Sequence, residues 1–327
     1  MMSDSFTEYA LPSTPIGVAT WIGYINEHVV LINRVLGRTI ASIHDDNWTA
    51  MLRDAYNLYD DTLSFHNHRH ILEVFQLGIC LLSKNRNVLR KVSSTDLRTF
   101  VLATILHDAG HIGLSNDQIT NALVSIVERN DNMVLSTVLQ YKKYEITDND
   151  PGSSSASYTS SYNESMHADL GRTVLEEHHI EHNSRLFAKL IYETDLSQND
   201  RFIKNHISYN PFYGNQIPTE QAELSKRVLS LLLKIADIGH IVRPLSAHMH
   251  YAMSIHVERY STPDMFGIPS DTIYFNETYV RPLLELLRDV NIGLSVKLLK
   301  MYNTNLQYWK SVERFAQKAK ELSRDLD

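Results

Sequence analysis

The chain has 327 residues, 43% hydrophobic and 21% charged, with a formal net charge of −7. That is enough apolar sequence for one large core, and the negative balance argues against a generic nucleic-acid binder, which would carry a basic stripe. The single cysteine, Cys80, excludes an internal disulfide framework and fits a reducing compartment. On its apolar helix it reads as a buried small residue and not a nucleophile.

Residues 1–17 are polar, lack the basic and apolar regions of a signal peptide, and read as a flexible lead-in to one domain over 18–327. From Thr20 the apolar residues Trp21, Tyr24, Ile25, Val29, Ile32, Val35 and Leu36 recur at helical steps. Asp45 and Asp46 can cap a second helix, and a third runs from about Arg69 to Leu82, apolar on most faces and so deeply buried. Ser94-Thr95-Asp96 offers a cap for a helix ending at His107. A helical segment follows Asn116, and the Gly, Pro and Ser content of 147–161 marks a surface loop. Helices are expected again over 167–179, 183–192, 219–237, 246–260, 276–289 and 294–326. No strand pattern of useful length and no internal repeat appears, so the fold class is all-α, one compact multi-helix domain. The longest apolar runs, such as 228–236, are too short to cross a bilayer, which leads to the expectation of a soluble, cytoplasmic protein.

Chemistry concentrates at helix ends. Leu106-His107-Asp108-Ala109-Gly110-His111-Ile112-Gly113 closes an apolar run with a histidine and an aspartate, and imidazole plus carboxylate suits Zn²⁺ and other borderline metals. Adjacent helical side chains point about 100° apart, so further ligands must come from other helices. In Phe65-His66-Asn67-His68-Arg69-His70 the first and last histidines share a face if helical, while His68 reads as exposed. Leu233-Lys234-Ile235-Ala236-Asp237 delivers an aspartate at the end of a run too apolar to be surface. A buried Asp is costly unless paired or metal-bound, and a cap or an ion pair with Arg243 is the other reading of Asp237. Leu175-Glu176-Glu177-His178-His179 and Glu193-Thr194-Asp195-Leu196-Ser197 add carboxylates and hydroxyls, although Glu176 could face solvent and Thr194 could cap a helix.

In this order, Phe-His-Asn-x-x-His, His-Asp-x-x-His-x-Gly-x-x-Asn, Leu-Glu-x-His-His, Thr-Asp-x-Ser and Ala-Asp-Ile resemble the catalytic domain of class I 3′,5′-cyclic nucleotide phosphodiesterases, within the wider His-Asp metal phosphohydrolases. The resemblance implies Zn²⁺ held by His70, His107, Asp108 and Asp237. It implies that Asp108 bridges to a second ion, Mg²⁺ or Mn²⁺, ligated mostly by water. It further implies that His111, Glu176, Thr194 and Asp195 hydrogen-bond those waters, and that His66 protonates the leaving 3′-oxygen. His178 and His179 take mainly structural roles. Ile255 and Phe275 match the family's apolar clamp on the base. The family's base-reading glutamine is replaced by Thr272, the preceding loop is short, and His240 stands where an asparagine often helps select adenine.

The activity so implied is hydrolysis of cyclic nucleotides to 5′-monophosphates, cyclic AMP slightly ahead of cyclic GMP on family frequency. Competing readings are another His-Asp phosphohydrolase with a different nucleotide or phosphodiester substrate, and a non-catalytic nucleotide-binding module of the same fold. The implied partners are the cyclic nucleotide, with no nucleic acid and no membrane span, and a homodimer or an attached regulatory domain.

Overall fold

A computed structural model describes residues 16–85, 92–121, 161–207, 221–262, 264, 266–289 and 294–324. Every regular element among the described residues is helical, in keeping with the absence of alternating apolar patterns. Helix α1 (Val18–Leu36) buries Trp21, Ile25, Val29 and Ile32 along one stripe and ends at Gly37, whose φ of 65° is the left-handed conformation glycine adopts without strain. Helix α2 (Asp46–Asn57) starts where Asp45 accepts the Asn47 amide at 3.0 Å. Helix α3 (His68–Lys84) is capped by Asn67 and buried at every position from His70 to Ser83, as its all-round apolar pattern implies. It is the axis of the fold, packing against α1, α4 (Ser94–Leu106) and α8 (Gln221–Ile238).

The remaining helices wrap this centre: α5 (Tyr162–Glu177), α6 (Ser184–Tyr192), α7 (Asn199–Ile207), α9 (Leu245–Tyr260), α10 (Gly267–Phe275), α11 (Arg281–Asp289) and α12 (Ser295–Arg324). A 3₁₀ turn, Gly239–Val242, links α8 to α9, and a π-helical turn, Asn276–Val280, joins α10 to α11. Helix α12 packs on α10, α11 and the 239–242 turn. There Asn305 donates to the carbonyls of Ile241 (2.5 Å) and Arg243 (2.8 Å). No helix of the described residues is long and apolar enough to cross a membrane.

Five expectations need correction or bounding. Residues 1–15 of the expected lead-in lie outside the described residues, but Ile16 is buried and its carbonyl accepts the Tyr56 hydroxyl at 2.8 Å, so the packed domain begins before residue 18. His68 is not exposed. It stacks on Tyr56 with ring centroids 3.8 Å apart and bonds Asp61 and the Tyr56 carbonyl. Residues expected as loop before Asp271 include the start of α10, where Gly267 and Pro269 mask a helix because proline is tolerated in a first turn. Helix α5 begins five residues before the expected His167, and this matters for the site. Most of the expected 147–161 loop lies outside the described residues.

Cys80 is buried as expected, and burial pushes its thiol up to about 12, far from a nucleophile's range.

Candidate active site

Four ligand-type side chains converge from three helix ends. His70 comes from the first turn of α3, His107 and Asp108 from the end of α4, and Asp237 from the last turn of α8. Their donor atoms all lie within 4.8 Å of one another. His70 Nε2 is 3.2 Å from Asp108 Oδ2 and 3.3 Å from Asp237 Oδ1; His107 Nε2 is 3.2 and 3.4 Å from the same atoms. Donors about 2.0–2.2 Å from one shared ion sit roughly 2.9–3.5 Å apart at neighbouring positions, so these spacings suit a single divalent metal. His70 Nε2, both nitrogens of His107 and Asp108 Oδ2 are buried without a hydrogen-bond partner. Of these, His70 Nε2, His107 Nε2 and Asp108 Oδ2 lie close to one another, which is what a ligand set leaves when described without its ion.

Burial works against charge on every one of these groups, and the opposite charges overcome it. His107 is raised to about 10 by Asp108 and Asp237, and His70 is raised by the same carboxylates. Asp108 and Asp237 are both held well below the usual carboxylate range by the two imidazoles. Arg243, the other partner considered for Asp237, is engaged elsewhere, by Glu73 Oε2 at 3.0 Å and Gln76 Oε1 at 2.7 Å.

The turn after Asp108 depends on two glycines. Gly110 (φ 77°) donates its amide to the Leu58 carbonyl at 3.0 Å, and Gly113 (φ 76°) donates to His111 Nδ1 at 3.0 Å. With Nδ1 accepting, a neutral His111 carries its proton on Nε2. Burial first, then the neighbouring His66, push His111 down to about 3.

His66 lies beside this cluster, stacked on His111 at 3.7 Å between centroids. Its Nδ1 meets Glu258 Oε1 of α9, while Glu258 Oε2 accepts the amides of Phe65 (2.7 Å) and His66 (3.1 Å). Burial alone would raise Glu258, but His66 and the two amides hold it down to about 2. Glu258 reaches His66 from 192 residues away in sequence.

Glu176 itself is not at the centre. It lies exposed near the C-terminal end of α5, 3.8 Å from Arg172. Nearer the centre are Glu164 and the buried His167, three apart at the start of the same helix. His167 Nδ1 is 3.7 Å from Asp108 Oδ1, and both its nitrogens are buried and unpartnered. Burial, foremost, lowers His167 to about 4 and raises Glu164 to about 7. Asn116, the last residue of the His-Asp motif, fixes this start: its Nδ2 donates to Glu164 Oε2 and its Oδ1 accepts the Asn163 amide, each at 2.9 Å. The sequence signal was present as Glu-x-x-His directly after the loop, at the spacing of one helical face.

Thr194 and Asp195 are buried on the adjoining turn. The Thr194 hydroxyl donates to the Ile191 carbonyl at 2.7 Å, and Asp195 accepts from Ser161 and Ser197. His178 pairs with Asp54 at 2.6 Å, a structural contact.

Three residues beyond Asp237, His240 lines a pocket together with, among others, Ile255, Thr272, Phe275 and Asn276. The four positions matched to base recognition therefore share one concavity.

The 3′5′-cyclic nucleotide phosphodiesterase family matches residues 65–266, which span His66, His70, His107, Asp108, Glu164, His167, Asp237 and Glu258. The chain belongs to this family. A relative, 3′,5′-cyclic-nucleotide phosphodiesterase 2 of Saccharomyces cerevisiae (strain ATCC 204508 / S288c), is 23% identical over 244 residues, 73% of this chain and 38% of that protein. The chain thus spans well under half of that relative's length. Among solved structures, the phosphodiesterase domain of the RhoPDE fusion protein from the choanoflagellate Salpingoeca rosetta superposes with a TM-score of 0.68 at 17% identity, covering 92% of each chain. The structure of LmjPDEB1 in complex with IBMX superposes with a TM-score of 0.66 at 13% identity, covering 90% of this chain and 86% of that one. These likenesses show the all-helical phosphodiesterase-domain fold.

Proposed function

We propose that this phosphodiesterase-family chain hydrolyses the 3′ phosphoester bond of 3′,5′-cyclic nucleotides to 5′-nucleoside monophosphates, with cyclic AMP ahead of cyclic GMP. The observation that carries the reading is the meeting of His70, His107, Asp108 and Asp237 around one point, with His66 and Glu258 beside it. The ligand set of two imidazoles and two carboxylates fits Zn²⁺, and Asp108, with water as the main co-ligand, fits Mg²⁺ or Mn²⁺. Bound there, such ions supply water of lowered pKa and offset charge on the phosphoryl oxygens.

The chain's own groups account for the protons. A water oxygen forms a bond to phosphorus, the bond from phosphorus to O3′ breaks, and O3′ takes a proton from His66. Glu258 occupies Nδ1 of His66, so Nε2 is the atom that delivers. Glu164, raised to about 7, is matched to accepting the proton that water loses. His111, His167 and Thr194 orient water around the Asp108 side of the site, in the place first assigned to Glu176. Ile255 and Phe275 hold the base between them.

The whole of 18–327 acts as the catalytic domain in this reading. A cytoplasmic setting is supported by the lone buried cysteine, and a homodimer or attached regulatory segment by the family resemblance alone. The test is metal analysis combined with side-by-side kinetics on cyclic AMP and cyclic GMP. Two metals and turnover of at least one nucleotide are expected; bound metal without turnover of either would reject the reading.

A further inference from the structure

The helix that brings Glu164 and His167 toward the centre starts without using its own cap. Ser161 is the N-cap of α5, where a serine ordinarily accepts a first-turn amide, yet its side chain makes no such bond. Its hydroxyl donates instead to Asp195 Oδ2, on the turn between α6 and α7, and both residues are buried. The first turn is served from outside. Asn116 accepts the Asn163 amide at 2.9 Å, and the hydroxyl of Tyr192, the last residue of α6, donates to Ser165 Oγ at 3.3 Å. A capping bond would stabilise the helix wherever it lay. The bond made instead fixes where the helix lies, because its acceptor belongs to another element.

Asp195 is held in turn. Its Oδ1 accepts the Ser197 amide at 2.8 Å, and its Oδ2 accepts the Ser197 hydroxyl at 2.9 Å as well as that of Ser161. Three of the roughly four acceptor positions of a carboxylate are thereby filled by protein donors. Behind it, Lys234 of α8 binds the carbonyls of Glu193, Thr194 and Asp195, one turn before Asp237. The contacts close a circuit between the two carboxylates of the metal set. It runs from Asp237 along α8 to Lys234, across the 193–195 turn to Asp195, and through Ser161 into α5. His167 then returns it to Asp108, with its Nδ1 3.7 Å from Asp108 Oδ1. Burial raises Glu164 to about 7, and the negative charge of Asp195 adds to the effect.

We propose that Asp195 is a positioning residue that acts through Ser161: it sets how close the first turn of α5 stands to Asp108, and thereby the affinity of the second metal site. The proposal rests on the metal-dependent reading above, in which Asp108 bridges two ions and His167 orients water beside it. It replaces the expected direct contact of Asp195 with that water. Ser161 is the joint of the circuit, since it alone passes the hold of Asp195 on to α5.

The experiment is calorimetric titration of Mn²⁺ into the zinc-loaded full chain, with zinc content and thermal unfolding measured on the same samples. Ser161→Ala and Asp195→Ala should each weaken Mn²⁺ binding by about 10–100-fold, the usual cost of losing a group that supports a metal's ligands, while zinc is retained. The double variant should be no weaker than either single one, because both break the same link. In Asp195→Asn the amide can still accept the Ser197 N–H and donate to the two hydroxyls, so most of the affinity should return. A tie that only stabilised the fold would lower Tm and leave Mn²⁺ affinity at the wild-type value. Wild-type Mn²⁺ affinity in Ser161→Ala, or single losses that multiply in the double variant, would overturn the proposal. So would Asp195→Asn as weak as Asp195→Ala, since charge and not the tether would then decide. Ser161→Ala and Asp195→Asn settle the question without Asp195→Ala. Two metals and turnover in wild type with Ser161→Ala unmoved defeat this proposal alone, whereas a wild type without turnover of either cyclic nucleotide defeats the functional reading.

Discussion

Glu258 holds His66 by three contacts at once: one carboxylate oxygen meets the imidazole Nδ1, and the other accepts the amides of Phe65 and His66. Ring and backbone of the proposed proton donor are therefore oriented by one residue. Glu258→Gln should keep the metals and the fold while lowering kcat by roughly 10–100-fold, with KM little changed. Wild-type kcat in that variant would remove Glu258 from the mechanism.

The same pair gives a dependence of stability on pH. Glu258 is lowered from 4.5 to about 2, so its contribution is fully present above 4.5 and is lost as pH falls from there toward 2. The difference in Tm between wild type and Glu258→Gln should be constant in neutral and mildly acid buffer and shrink through that window. A difference that widens on acidification contradicts a Glu258 held ionised by its surroundings.

His66→Ala removes a proton donor and no metal ligand. Metal content should match wild type while kcat drops by roughly 10²–10⁴-fold. Substrates whose leaving oxygen needs no proton should lose far less. Parallel losses on both substrate types would mean that His66 does something other than deliver a proton.

Asp108 offers Oδ2 to the metal set and turns Oδ1 toward His167. Asp108→Ala should empty the second site and weaken the first, read as metal equivalents retained after dialysis. Two equivalents retained would contradict a bridging carboxylate.

Lys234 is fully buried one turn before Asp237, donating to the carbonyls of Glu193 (2.9 Å), Thr194 (3.3 Å) and Asp195 (3.0 Å). Burial lowers it from 10.5 to about 8, so the folded protein sheds this proton first, and its contribution to stability rises with pH between those values. Lys234→Met strands three buried carbonyls and should cost about 2–4 kcal/mol in denaturant unfolding, with that rise abolished. An equally stable variant would show that the carbonyls find other donors.

The parts of the site that could be read in sequence were those sitting at the ends of apolar runs. His107, Asp108 and Asp237 interrupt segments too hydrophobic for a surface, and His66 and His70 stand four apart at the head of another, although the Asn67 cap leaves His66 just before the helix. Glu176 shows where this fails. It sits in a motif-like Leu-Glu-x-His-His, yet about three turns of helix separate it from the N-terminal start that carries Glu164 and His167. Choosing between the two carboxylates needed the direction in which α5 enters the bundle, and its start follows the 147–161 stretch, which has no periodicity of its own. Glu258 could not be paired with His66 by any local rule, since the contact is made by the packing of α9 against the α3 cap.

The most direct test is to incubate the metal-loaded chain with cyclic AMP in ¹⁸O-labelled water and follow phosphorus by NMR. The expected result is 5′-AMP carrying one ¹⁸O on phosphorus, formed by wild type and lost in Asp237→Ala. A chain that binds metal at these four residues but leaves cyclic AMP and cyclic GMP intact, or that opens the ring to the 3′-monophosphate, would contradict the central claim.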